Sequence, residues 1–186
     1  KNRRSFIVGI KSIKISRKEK YFLKKYKPWG IILFSRNIKT IDQTQKLTKK
    51  IRKIFNDKKY PILIDEEGGK VSRLKKIIDN SIFSSNFFGN LYNKDKKKFY
   101  IFYNVYVKQI CYLLNLLGIN INTVPVLDVK RKITSNIIGN RSFSDKPSLV
   151  NKLGQICIKK FHQNHIATVM KHIPQNIFIM CQFESN

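Results

Sequence analysis

The residues best equipped for chemistry sit just behind short apolar runs. Ile62-Leu63-Ile64 leads into Asp65-Glu66-Glu67 and then Gly68-Gly69, Asp128 lies near the end of a run from Asn122 to Val129, and Lys171-His172 near the end of one that begins at Ile166. An ionised Asp65 can accept hydroxyl hydrogen bonds on both oxygens, although an aspartate so placed also caps a helix or a turn. Glu66 and Glu67 are neighbours, so in an extended chain they point to opposite faces and cannot both act on one bond. Gly68-Gly69 lets the backbone turn sharply after the acids. Asp128 is placed to orient polar neighbours, and His172 reads either as a ligand contact or as a satisfied structural histidine. Arg73 and Arg141 offer planar donor forks for hydroxyl and carbonyl oxygens, yet among 38 Lys and Arg an arginine is as readily a surface charge.

Other chemistries find no support. His162 and His165 have no carboxylate or third ligand at metal-site spacing, and neither a metal nor a cofactor is expected. Ser142 and Ser144 lack visible His and Asp partners for nucleophilic catalysis. No G-x-G-x-x-G follows the first apolar run, and G-x-x-x-x-G-K-[ST] is nowhere in the chain. Cys111, Cys157 and Cys181 form no C-x-x-C pair, which argues against a disulfide framework and for a reducing compartment.

The elements that must position these residues alternate between short apolar runs and longer amphipathic stretches, the pattern of parallel strands covered by crossover helices. Strands are expected at Ser5 to Ile10, Trp29 to Ser35, Tyr60 to Glu67, Asn122 to Val129 and Ile166 to Ile173. Helices are expected from an N-cap at Ser16 to before Pro28, over Thr40 to Phe55, over Lys96 to Leu117 with Gly118 as terminator, and over Lys146 to Gln163. Such an α/β order fits an open doubly wound sheet or part of a (β/α)8 barrel. Polar clusters at the carboxyl ends of strands are what a barrel with its site on that face would show.

The 186 residues suit one domain, and 42% hydrophobic with 26% charged residues is ordinary globular usage. A net charge of +27 raises nucleic acid or an anionic membrane as partners. The lysines are spread along the chain, and Lys46, Lys49, Lys50 and Lys53 fall largely on the outer face of an amphipathic helix, so solvated cover and compositional bias explain them better than a specific polyanion site. The start of the chain lacks the apolar region of a signal peptide, and no stretch approaches the ~20 apolar residues of a membrane span; a soluble, cytoplasmic protein is expected.

Five segments resemble, in order and approximate spacing, family 3 glycoside hydrolases: Trp29 to Asn37 (WGIILFSRN), Ile64 to Leu74 (IDEEGGKVSRL), Asn120 to Val129 (NINTVPVLDV), Ile138 to Ser144 (IGNRSFS) and Met170 to Pro174 (MKHIP). The resemblance is to the bacterial β-N-acetylhexosaminidase branch and covers residues 1–174. It implies an incomplete (β/α)8 TIM-type barrel of about the first five βα units. It further implies that Asp65, Arg73, Arg141, Lys171 and His172 contact the substrate, a terminal β-linked N-acetylglucosamine of a saccharide or muropeptide, as in peptidoglycan recycling.

In that branch the Lys-His pair runs on into Gly-His-Gly, then a loop carrying a histidine acid/base, with the nucleophilic aspartate later still. Here Pro174 is followed by Gln175-Asn176, so residues 175–186 are expected to be an unrelated tail, as a frameshift would produce, and neither catalytic group is assigned. The expected consequences are a chain inactive alone, with an open barrel edge and exposed apolar surface. A non-catalytic sugar-binding fragment and a basic nucleic-acid binder are the competing readings.

Overall fold

The computed structural model describes residues 2–131 and 138–172. Five strands form from the apolar runs: β1 (Arg4–Gly9), β2 (Pro28–Leu33), β3 (Ile62–Ile64), β4 (Ile121–Asn122) and β5 (Ala167–Thr168). Five helices separate them: α1 (Arg17–Tyr26), α2 (Ile41–Phe55), α3 (Ser85–Lys94), α4 (Lys96–Leu117) and α5 (Pro147–Gln163). All strand pairs are parallel, and the sheet order is β1-β2-β3-β4-β5. A doubly wound sheet reverses direction at a switch point, whereas this one is wound one way throughout, as in the wall of a (β/α)8 barrel.

Helix boundaries follow local chemistry. Ser16 caps α1 in a reciprocal capping box with Glu19, and Thr40, Ser84 and Asp95 accept from the first turns of α2, α3 and α4. Gly118 ends α4 in the left-handed conformation at φ 73°. α2 buries Leu47 and Ile51 and leaves Lys46, Lys49, Lys50 and Lys53 exposed, as its periodicity predicts.

β1 has the expected length, whereas β3, β4 and β5 are much shorter than the segments expected for them. β3 stops at Ile64, and β4 stops at Asn122 two residues before the cis Val124–Pro125 bond. Beyond these ends the chain stays buried but leaves the ladder, and side-chain amides take over its hydrogen bonding. Asn122 accepts from the Glu66 N–H at 3.0 Å and donates to the Glu66 carbonyl at 2.8 Å. A single bridge, Val126 to Lys171, continues the β4–β5 pairing as far as the site.

α3 is not anticipated by the sequence pattern. It packs on α4 through an aromatic cluster in which the Phe88 ring meets Tyr103 at 4.8 Å and Tyr106 at 5.0 Å. Ile7 in β1 and Val169 and Met170 just past β5, at the two outer strands of the sheet, are 45%, 39% and 44% accessible. The change of sequence character expected after Pro174 lies outside the described residues. Among the described residues no helix is long and apolar enough to cross a membrane.

Gly89 lets the segment carrying Arg141 approach α3, because a Cβ there would stand 1.8 Å from the Phe143 carbonyl oxygen. Ala normally stabilises a helix interior by about 1 kcal/mol relative to Gly. In Gly89→Ala the clash reverses that sign, and thermal unfolding is expected to show a net loss of ~1–3 kcal/mol.

Candidate functional site

The carboxyl ends of β3, β4 and β5 converge, and the side chains just past them meet around one ammonium group. Lys171 Nζ lies 2.9 Å from Asp65 Oδ1, 2.6 Å from Glu67 Oε1 and 3.0 Å from Thr123 Oγ1. Asp65 and Glu67 are two residues apart in extended chain, so they share a face and can both reach the same cation. Thr123 also donates to Asp65. Glu66, between them, faces the other way and is buried in the protein.

Two arginines flank this centre. Arg141 grips Glu67 with two donors, Nε at 2.8 Å and Nη2 at 3.0 Å, a bidentate arrangement that fixes the guanidinium plane. Its segment is tied to the loop after β4: the Ser142 hydroxyl sits 2.5 Å from the Asp128 carbonyl oxygen, and the Lys130 N–H donates to Ser144 O at 3.0 Å. Arg73 approaches Asp65 more loosely, with Nη2 3.6 Å from Oδ2. His172 completes the group, its Nδ1 2.5 Å from Asp128 Oδ2. A carboxylate calls for a donor, so Nδ1 is the nitrogen that carries a proton in this contact.

The electrostatics favour ionised, paired groups. Burial alone would raise the Asp65 carboxyl, but hydrogen bonds from Thr123 and Lys171 and the charges of Lys171 and Arg73 outweigh it and hold the group below the ordinary aspartate range. The hydrogen bonds from Arg141 to Glu67 raise the guanidinium further above its already high value, against a smaller opposing effect of burial. No cluster of three or more His, Cys, Asp or Glu with metal-binding geometry occurs among the described residues.

The "Glycosyl hydrolase family 3 N terminal domain" model matches residues 5–176. The chain belongs to this family. Beta-hexosaminidase A of Pseudoalteromonas piscicida is 31% identical over 156 residues, covering 82% of this chain and 26% of that protein. The beta-hexosaminidase of Hydrogenovibrio crunogenus is 30% identical over 154 residues, covering 81% and 41% respectively. NagZ from Neisseria gonorrhoeae, solved in complex with N-trifluoroacetyl-D-glucosamine, superposes with a TM-score of 0.78 at 28% identity over 95% of this chain and 52% of that one. The chain thus spans about half, or less, of the length of these relatives.

Family 3 membership fixes the architecture as part of the N-terminal TIM-type barrel, the fold class expected from the strand-end clusters. Asp65, Arg73, Arg141 and Lys171 are brought to one site, with His172 joined to Asp128 at its border. Asp128 holds the His172 ring through this contact. Glu67 and Thr123 were not among the anticipated site residues. The signal for Glu67 was the two-residue spacing from Asp65; Thr123 carried none beyond its place after a strand.

Because the folded Asp65 carboxyl titrates below its ordinary value of about 3.9, it contributes stability that is fully present above that pH and is lost as pH falls through the folded value. Asp65→Asn lacks this contribution. Its stability, followed by denaturant titration between pH 5 and pH 2, is expected to fall less steeply with acid than that of the parent chain; parallel curves would refute the pairing.

Proposed function

We propose that this chain forms the pocket of a β-N-acetylhexosaminidase that holds the terminal β-linked N-acetylglucosamine, with Asp65, Arg73, Arg141, Lys171 and His172 as its contacts. The observation that carries this reading is the convergence of the β3 and β5 ends on Lys171, which leaves carboxylate acceptors and ammonium and guanidinium donors side by side. A sugar presents hydroxyls that both donate and accept, and a site of alternating charged donors and acceptors satisfies both roles. The family relationship, and the glucosamine derivative bound by the gonococcal NagZ, point to an N-acetylated sugar. A muropeptide as the saccharide, peptidoglycan turnover as the process and the cytoplasm as the place belong to the same proposal.

Cleavage is a separate matter. Retaining hydrolysis ordinarily uses a nucleophilic carboxylate and a proton donor about 5–5.5 Å apart across the bond. Each carboxylate of the site is already engaged in holding a neighbour, Asp65 and Glu67 on Lys171, Glu66 on an internal loop and Asp128 on His172. We expect the described residues to hold the sugar rather than to break the bond, and we expect no turnover of a chromogenic N-acetylglucosaminide by the chain alone.

Calorimetric titration with N-acetylglucosamine tests the pocket. Asp65→Ala and Arg141→Ala are expected to weaken binding at least about tenfold, equivalent to ~1.4 kcal/mol, with the circular dichroism spectrum unchanged. No binding by the parent chain, or undiminished binding by both folded variants, would overturn the assignment.

A further inference from the structure

Arg73 is the least anchored of the cations at the site. Its guanidinium stands 3.6 Å from Asp65, beyond good hydrogen-bond distance, and 5.8 Å from the Phe34 ring centroid, while its buried Nε has no hydrogen-bond partner among the described residues. Its position is therefore inherited from the backbone that carries it. That backbone is held from inside the protein by one carboxylate. Glu66 Oε2 accepts from the Arg73 N–H at 2.7 Å, the Leu74 N–H at 3.0 Å and the Ser72 hydroxyl at 3.2 Å, and Oε1 accepts from Asn80 Nδ2 at 2.7 Å.

Glu66 is itself fixed. It is 1% exposed, and its own N–H and carbonyl are both bonded to the Asn122 amide, which belongs to β4. The line of contacts runs from the sheet through Asn122 to Glu66, and from Glu66 to the turn that presents Arg73. We propose that Glu66 is a positioning residue that sets where the Arg73 guanidinium stands beside Asp65. The sugar-binding consequence rests on the function proposed above; the mechanical role does not.

The requirement is for acceptors of this shape rather than for a charge. A glutamine at position 66 with its oxygen at the Oε2 place keeps the three bonds to Ser72, Arg73 and Leu74. Its amide nitrogen would then face Asn80, whose Oδ1 is buried without a partner among the described residues and can be turned to receive it by rotating the amide. Glu66→Gln is therefore the conservative variant that should rescue what Glu66→Ala loses.

Hydrogen exchange read at single amides, on the whole chain, separates the possibilities. In the parent and in Glu66→Gln the Arg73 and Leu74 amides are expected to be protected. In Glu66→Ala they should exchange at least about tenfold faster, with the Ile64 and Val107 amides unchanged as internal controls. Unchanged exchange at Arg73 and Leu74 in Glu66→Ala, or a Gln variant as impaired as the Ala variant, would overturn the proposal. Should Glu66→Ala fail to fold, Asn80→Ala removes only the Oε1 bond and is expected to accelerate the same two amides part of the way; no acceleration there would also overturn it. In parallel, N-acetylglucosamine affinity should fall several-fold in Glu66→Ala and return to within about twofold of the parent in Glu66→Gln. A parent chain that shows the exchange pattern but no affinity would sink the sugar assignment and leave the positioning role standing.

Discussion

The contact on which the site depends is that of the Lys171 ammonium with two carboxylates that would otherwise repel each other. Asp65 and Glu67 point to one side of the same extended stretch, and the cation between them offsets that repulsion. Lys171 lies three residues past β5, the strand two places along the sheet, so one side chain ties the end of β3 to the end of β5 across β4. Losing one member of a buried pair commonly costs about 3–5 kcal/mol, and the residual exposure of Lys171 and Asp65, 16% and 20%, puts this pair toward the low end. Arg141 and Thr123 then occupy further lone pairs of the two carboxylates.

This arrangement needs the backbone to leave the sheet early. Were β3 to run on through Glu67, the inter-strand ladder would dictate the spacing of the acids. Instead the ladder ends at Ile64, and Asn122 replaces it with a two-pronged amide contact to Glu66, so the segment is held by side chains and can turn at Gly68. Gly68 has φ 78°, and a Cβ on it would lie 2.2 Å from the Phe83 carbonyl oxygen. The turn that follows returns Ser72, Arg73 and Leu74 to the buried face of Glu66. Adjacent acids thus divide the work, Glu67 outward to the cations and Glu66 inward to the loop.

How much of this the sequence disclosed depended on whether the determinant was local. α4 spans the expected Lys96–Leu117, because its period is long and Gly118 terminates it. The Ser16 cap is likewise a local feature, complete within four residues. The expected β3, β4 and β5 exceed the observed ones because apolar character marks burial rather than ladder pairing, and residues such as Val124 and Leu127 are buried in irregular chain. α3 was missed because Asn86, Gly89, Asn90 and Asn93 depress helix propensity, and the helix is stabilised by Phe88 and Tyr92 packing on α4. At the site, the segments that resemble family 3 supplied Asp65, Arg73, Arg141, Lys171 and His172. Which partner each would find was a question of tertiary geometry, and Thr123 could only be recognised once β4 was laid beside β3.

The same geometry bears on the meaning of the charge. The chain carries +27 overall, yet at the site Asp65 pairs with Lys171 and Arg73, and Glu67 with Lys171 and Arg141, so each of these cations has a carboxylate partner. A pocket shaped for a phosphate backbone presents cations whose counterions the ligand replaces, and its affinity comes from releasing them. Here the cations already have carboxylate partners inside the protein, and the lysines of α2 lie outside on a solvated helix face. A balanced cluster offers a polyanion little gain in Coulomb energy, but it offers an uncharged polyhydroxylated ligand donors and acceptors that are oriented before it arrives. Among the described residues the site cations are paired and the lysines of α2 are exposed, so the excess positive charge is not concentrated at the site.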